Sequence, residues 1–309
     1  MQLTFLVTSP RVAPGLMSWS AWQAVASADR VLASGESPVF RAVTVAGHRV
    51  DVLASATVDD LLAAAAHEDV VWLADDHEAT TFPATLAERI VAAEDAPQVE
   101  VLHASYDVPG ARLLDLVTVM DRLRTSCPWD REQTHESLVR YLLEEAYETL
   151  EAIETGDYSH LREELGDLLL QVYFHARIAE EDPDDPFTID DVAGGIVDKL
   201  VHRHPHVFGD VDVADADEVE RNWEALKAAE KGRGSVLDGI PQALPALSLA
   251  EKTLGRAGRV GVEPTLTDSL GDRLLALVVE ARANGLDAEQ ELRTAVRRLA
   301  DAVRTAEAG

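Results

Sequence analysis

"LLEEAYETLEAIETGDYSHLREELGDLLLQVYFHARIAEE", residues 142–181, crowds carboxylates into a segment whose leucine, tyrosine and phenylalanine content reads as core. Glu145 and Glu148 stand three residues apart, as do Glu164 and Asp167. Three residues along a helix return to nearly the same face, so each helix offers one carboxylate pair. Between the pairs, Gly156, Asp157 and Ser159 form a turn short enough to fold the helices into an antiparallel hairpin, which brings the four acids together. Ionised carboxylates in an apolar setting are costly unless they are paired or bound to a cation. A single E-x-x-E reads as a solvated stripe of an acidic surface. Two such pairs, each among apolar residues and joined by a hairpin-length turn, favour a divalent metal site instead. A di-iron carboxylate bundle would want Glu-x-x-His, but the residues three beyond Glu144, Glu163 and Glu164 are Tyr147, Gly166 and Asp167. The all-oxygen donor set suits a hard cation, Mg²⁺ or Mn²⁺.

Outward from this stretch the chain divides by pattern into a multidomain α/β plus all-α protein. Residues 1–110 alternate short Val- and Leu-rich runs with alanine-rich amphipathic stretches, predicting strands at 3–7, 30–33, 50–54, 70–74 and 99–103 and helices at 19–28, 58–66 and 83–93. That order predicts an α/β domain with a largely parallel sheet. From residue 111 apolar spacing is helical almost throughout, broken at "CPWD", "ETGDY", "EDPDDP", "HPHVFGD" and "KGRGS". The expected divisions are 1–110, a helical catalytic domain at 111–232 and a helical C-terminal region at 233–309. In "PFTIDDV", Thr188 and Asp191 have capping-box spacing, Phe187 and Val192 occupy staple positions, and Pro205 ends the helix begun there. "LGDLLLQVYFHARI" from Leu165 aligns with "LGDRLLALVVEARA" from Leu270, as a decayed duplication would. Ser269 stands where Glu164 would be, so only the first copy retains the acids.

The 309 residues carry 27 basic and 56 acidic side chains, a formal charge of −29. Such a charge repels nucleic acid and anionic membrane surfaces, and a polyanionic substrate would need a cation as intermediary. Cys127 is the sole cysteine, which excludes an intrachain disulfide and suits a reducing cytoplasm. The opening "MQLTFLVTSPRV" lacks the basic region and long apolar run of a signal peptide, and no segment approaches the ~20 apolar residues of a membrane span. A cytoplasmic protein is expected.

"EEAYE" at 144–148 and "ELGD" at 164–167 resemble the E-E-x-x-E and E-x-x-D signature of the MazG nucleoside triphosphate pyrophosphohydrolases. "CPWDREQTHESL", "DKLVHRHPHVF", "NWEALKAAEK" and "DGIPQALPAL" extend the resemblance over roughly residues 112–256. It implies an all-α catalytic fold, Mg²⁺ dependence, paired subunits and hydrolysis of a nucleoside triphosphate to monophosphate and pyrophosphate. By position the family's metal ligands fall on Glu145, Glu148, Glu164 and Asp167, and Glu144 is assigned to orient or deprotonate the attacking water. The same resemblance implies phosphate contacts at Lys199 and Arg203, four apart on one helix face, and a nucleotide-pocket position for Trp129. Lys227 and Trp223 offer a further phosphate contact and a stacking plane, and stacking tolerates any base. His202, His204 and His206 alternate around Pro205 and cannot present three ligands on one helical face. The Leu270 repeat is similar to a second MazG unit. The first 110 residues faintly resemble a tetrapyrrole methylase domain whose glycine and aspartate pattern is lost, so a scaffold rather than a methyl transferase is expected. Competing readings are a narrow-specificity hydrolase of the same helical superfamily and a non-enzymatic acidic interaction protein.

Overall fold

In the computed structural model, which describes residues 1–74, 76–92, 97–230 and 234–308, the five strand segments form a single parallel sheet. Strands β1 (Gln2–Val7), β2 (Arg30–Ala33), β3 (Val50–Val52), β4 (Val70–Leu73) and β5 (Gln98–His103) lie in the order β3-β2-β4-β1-β5. Helices α1 (Trp19–Ser27), α2 (Pro38–Val45), α3 (Val58–Ala64) and α4 (Asp76–Ala92) make the crossovers. Both faces of the sheet are covered, which is why its central strands read as continuous apolar runs rather than alternating ones. On one face Leu3, Phe5 and Trp72 pack with Val58, Leu61 and Leu86. On the other Leu6, Val71 and Leu73 pack with Ala21, Val25 and Val43. Each such large apolar side chain contributes about 1.5–3 kcal/mol on full burial.

Two local features differ from expectation. Helix α2 has no counterpart among the predicted elements; Ser37 caps it by accepting from Phe40 N at 3.0 Å, and Pro38 starts it. Helix α4 begins at Asp76, leaving Pro83 inside it rather than at its start. Ala93, the predicted end of that helix, lies outside the described residues, as does the expected division between 232 and 233.

The remainder is helical: α5 (Arg112–Ser126), α6 (Pro128–Glu132), α7 (His135–Thr155), α8 (Tyr158–Ala179), α9 (Ile189–Arg203), α10 (Pro205–Phe208), α11 (Ala216–Glu230), α12 (Ala246–Arg259), α13 (Leu270–Ala283) and α14 (Ala288–Glu307). The chain forms two compact units, Met1–Gly194 and Gly195–Gly309. Within the first, Arg11 joins the α/β layer to α5, donating to Asp107 at 2.7 Å and to Asp115 at 2.6 Å. Met120, Leu138, Tyr173 and Phe174 form a core shared by α5, α7 and α8. Thr188 and Asp191 make the expected capping box at α9, with Thr188 N donating to Asp191 Oδ2 at 2.7 Å and Asp191 N to Thr188 Oγ1 at 3.3 Å. In the second unit α12, α13 and α14 pack together. No helix among the described residues is long and apolar enough to cross a membrane.

Candidate active site

Helices α7 and α8 pack against each other as the predicted hairpin. Thr134 and Ser137 cap α7 reciprocally, and Gly156 ends it in the left-handed region at φ 73°, a conformation that favours glycine. Asp157 starts α8 by accepting from Ser159 N at 3.0 Å and His160 N at 3.1 Å. Only Gly156 and Asp157 separate the helices, so the acids of one are carried back over those of the other.

Glu145, Glu164 and Asp167 converge, each offering a carboxylate oxygen within 4.8 Å of the other two. Glu164 is buried, only 5% exposed. Its Oε1 is held by His160 Nε2 at 2.8 Å, whereas its Oε2 is buried without a hydrogen-bond partner. Sequence reasoning missed His160, although its position four residues before Glu164 was the available signal. Burial, followed by the charges of Asp167, Glu148, Glu164 and Glu144, pushes the Glu145 carboxyl above its ordinary value. Glu148 is raised as well, by burial first and then by Glu164 and Glu144. Glu148 stands beside Glu164 outside the tight triad, and Glu144 is exposed on the outer edge of the cluster. An unpartnered buried oxygen inside a like-charged group fits a hard cation, which would satisfy both defects.

The apolar residues around the acids do not all enter the core. Leu142, Leu143, Tyr147, Leu165 and Val172 are exposed in the chain, whereas Leu138, Ala152, Tyr173, Phe174 and Ala176 are buried. The hairpin buries one face against α5, leaving a second apolar face open.

Trp129 on α6 is 49% exposed, with its ring edge-on to Tyr141 and Phe174. The other expected substrate residues lie in the second unit. Lys199 is exposed on α9, and Arg203, one turn later, is buried with its guanidinium 5.2 Å from the centroid of the Trp223 ring. His204 meets Trp223 edge-on at 4.8 Å, which accounts for this histidine by packing. Lys227 lines a cavity with residues of α12 and α13. In the repeat, Asp272 does not reproduce the setting of Asp167. It sits in the first turn of α13, accepting from Thr267 N at 3.0 Å and donating its own N–H to Ser269 Oγ at 3.1 Å, so it belongs to a helix cap.

Comparison with known proteins gives this arrangement its relatives. Residues 133–208, which span α7 to α10, match the MazG nucleotide pyrophosphohydrolase domain. An uncharacterized 26.1 kDa protein from the blaB 3' region of Streptomyces cacaoi is 55% identical over 218 residues, covering 69% of this chain and 90% of that protein. The nucleoside triphosphate pyrophosphohydrolase of Mycolicibacterium smegmatis is 46% identical over 243 residues, 77% of this chain and 69% of the relative. The nucleoside triphosphate pyrophosphohydrolase/pyrophosphatase MazG of Thermotoga maritima is 38% identical over 220 residues, 62% of this chain and 84% of the relative. With the paired acids on facing helices and relatives matched over most of their length, the chain belongs to the MazG family of nucleoside triphosphate pyrophosphohydrolases.

Proposed function

We propose that the protein hydrolyses nucleoside triphosphates to nucleoside monophosphate and pyrophosphate in an Mg²⁺-dependent reaction with broad base tolerance, clearing unwanted nucleotides from the pool. The observation that carries this reading is the convergence of the Glu145, Glu164 and Asp167 carboxylates, with Glu164 buried and its Oε2 without a hydrogen-bond partner. Glu145, Glu148, Glu164 and Asp167 would hold Mg²⁺, or Mn²⁺ in its place. When bound, the metal supplies charge neutralisation to the phosphates and a lowered pKa to a coordinated water.

The chain's own groups do the rest. His160 fixes Glu164 through Oε1 and leaves Oε2 without a hydrogen-bond partner. Glu144, which contributes to the raised pKa of both Glu145 and Glu148, orients the attacking water and accepts its proton on a carboxylate oxygen. Trp129, in the same unit as the acids, offers an apolar plane that reads no base edge. The test is product analysis with Mg²⁺ and a panel of nucleoside triphosphates. Pyrophosphate and monophosphate should appear for several bases, and Glu145→Gln should abolish most of the release. Formation of inorganic phosphate and diphosphate would overturn the reading.

A further inference from the structure

The second unit contains a cavity of about 590 Å³ whose lining reverses the charge balance of the whole chain. Lys227 of α11, Lys252, Arg256 and Arg259 of α12, and Arg282 of α13 all line it, against one acid among the described lining residues, Glu251. The complete sequence carries 56 acids to 27 bases. We infer that this cavity is a binding site for a polyphosphate chain, either inorganic pyrophosphate or the triphosphate tail of a nucleotide.

The spacing on α12 is the first reason. Lys252, Arg256 and Arg259 fall four and three residues apart, on one helix face spanning about 10 Å. Like charges at these spacings destabilise a helix. The C-terminal end of the helix dipole offsets this for Arg256 and Arg259, which occupy the last turn, but not for Lys252. Lys252 makes no ion pair among the described residues. An anion lying along the face would offset the repulsion, and a row of this length matches a chain of phosphates better than a single one.

The second reason is the way Arg282 is brought in. Its Nη1 pairs with Glu251 Oε1 at 3.2 Å, so the acid in the lining serves to hold a cation. A Cβ on Gly255 would meet Arg282 Nη1 at 3.0 Å, so the glycine keeps open the space that the guanidinium occupies. Arg256 Nη1 donates to the carbonyls of Val236 and Asp238 at 2.9 and 2.7 Å, anchoring the segment before α12 beside the cavity. The cavity falls within the size range of small-molecule sites. The choice of ligand rests on the functional reading above, but the site itself uses none of the acids on α7 and α8.

The test uses full-length protein freed of divalent metal on a chelating resin, titrated calorimetrically with inorganic pyrophosphate and, separately, with a non-hydrolysable nucleoside triphosphate analogue. Each should be compared at low and high salt. One saturable, salt-sensitive site is expected, weakened at least tenfold in Lys252→Gln/Arg259→Gln and unchanged in Asp167→Asn. Both substituted side chains reach solvent, and circular dichroism would confirm that the fold is kept. Tighter pyrophosphate binding assigns the site to product, and tighter binding of the analogue assigns it to nucleotide. Absence of saturable binding, equal binding by the double variant, or loss of binding in Asp167→Asn would each overturn the proposal. Failure of the protein to release pyrophosphate while still binding it would count against the functional reading alone.

Discussion

Replacing Asp167 with Asn should stabilise the metal-free protein and cripple the enzyme. The carboxylate oxygens of Glu145, Glu164 and Asp167 lie within 4.8 Å of one another, and Asp167→Asn removes two of the three repulsions. At that separation two unit charges repel by about 3.5 kcal/mol at an effective dielectric constant of about 20, and by about 0.9 kcal/mol in bulk water. Asp167 and Glu145 are only half-buried, so the watery limit governs and the expected gain is about 1–2 kcal/mol. For a unit of this size that raises the melting temperature by about 2–8 °C. Mg²⁺ should invert the order, because a ligand at a hundredfold excess over Kd adds about 2.7 kcal/mol to whichever protein binds it. Turnover should fall on the order of 100-fold, the usual scale for a disturbed catalytic metal site. Thermal melts with and without Mg²⁺, alongside pyrophosphate release, check both halves. A variant that melts below wild type without metal and gains as much from Mg²⁺ would refute the idea that these acids form a strained cation site.

Asp272→Asn should leave pyrophosphate release close to wild type, while the melting temperature falls slightly because the residue supports the cap of α13. Asp107 is held below its ordinary value of 3.8 chiefly by the Ser9 hydroxyl, and Asp115 chiefly by Arg11. Their stabilisation is therefore complete above pH 3.8 and lost as pH falls through the lower folded values. Arg11→Gln should accordingly move the acid-unfolding midpoint, monitored by circular dichroism, to higher pH. Glu145 and Glu148 act in the opposite direction: raised above 4.5, they make the metal-free protein less stable as pH rises through that window. The double Gln variant should flatten that slope. The exposed Leu142, Leu143, Tyr147 and Leu165 predict a self-associated active unit, and sedimentation should find at least a dimer. A fully active monomer would contradict this.

The central strands were readable because a sheet covered on both faces needs apolar runs there, the edge strands β3 and β5 because Val and Leu still recur in them, and each predicted strand overlaps an observed one with ends within two residues. Helix α2 was harder: in "PVFRAVTV" the β-branched valines and threonine dilute the helical signal, and only the Ser37–Pro38 start marks it. Treating Pro83 as a helix start misplaced the beginning of α4, since a tertiary setting can carry proline inside a helix. At the site, acid spacing and a two-residue turn were enough to bring Glu145, Glu164 and Asp167 together. Periodicity could not tell which apolar face meets the same chain, so Leu142 and Leu165 read as core and are exposed. Of the cationic cavity only the spacing of Lys252, Arg256 and Arg259 is local; Arg282 reaches it from another helix through the space left by Gly255, which no spacing along the chain reveals.

The turn between α7 and α8 also acts as a phase lock. Each residue added to a helix rotates the downstream chain by about 100° and advances it by about 1.5 Å. With only Gly156 and Asp157 between the helices, there is no slack to absorb such a step. One inserted residue would swing Glu164 and Asp167 away from Glu145 while leaving every helix intact. A chain so altered would keep its helical content and lose its chemistry. The seven residues between α10 and α11, 209–215, carry no such constraint on the acids, so length changes should be tolerated there and excluded at 156–157.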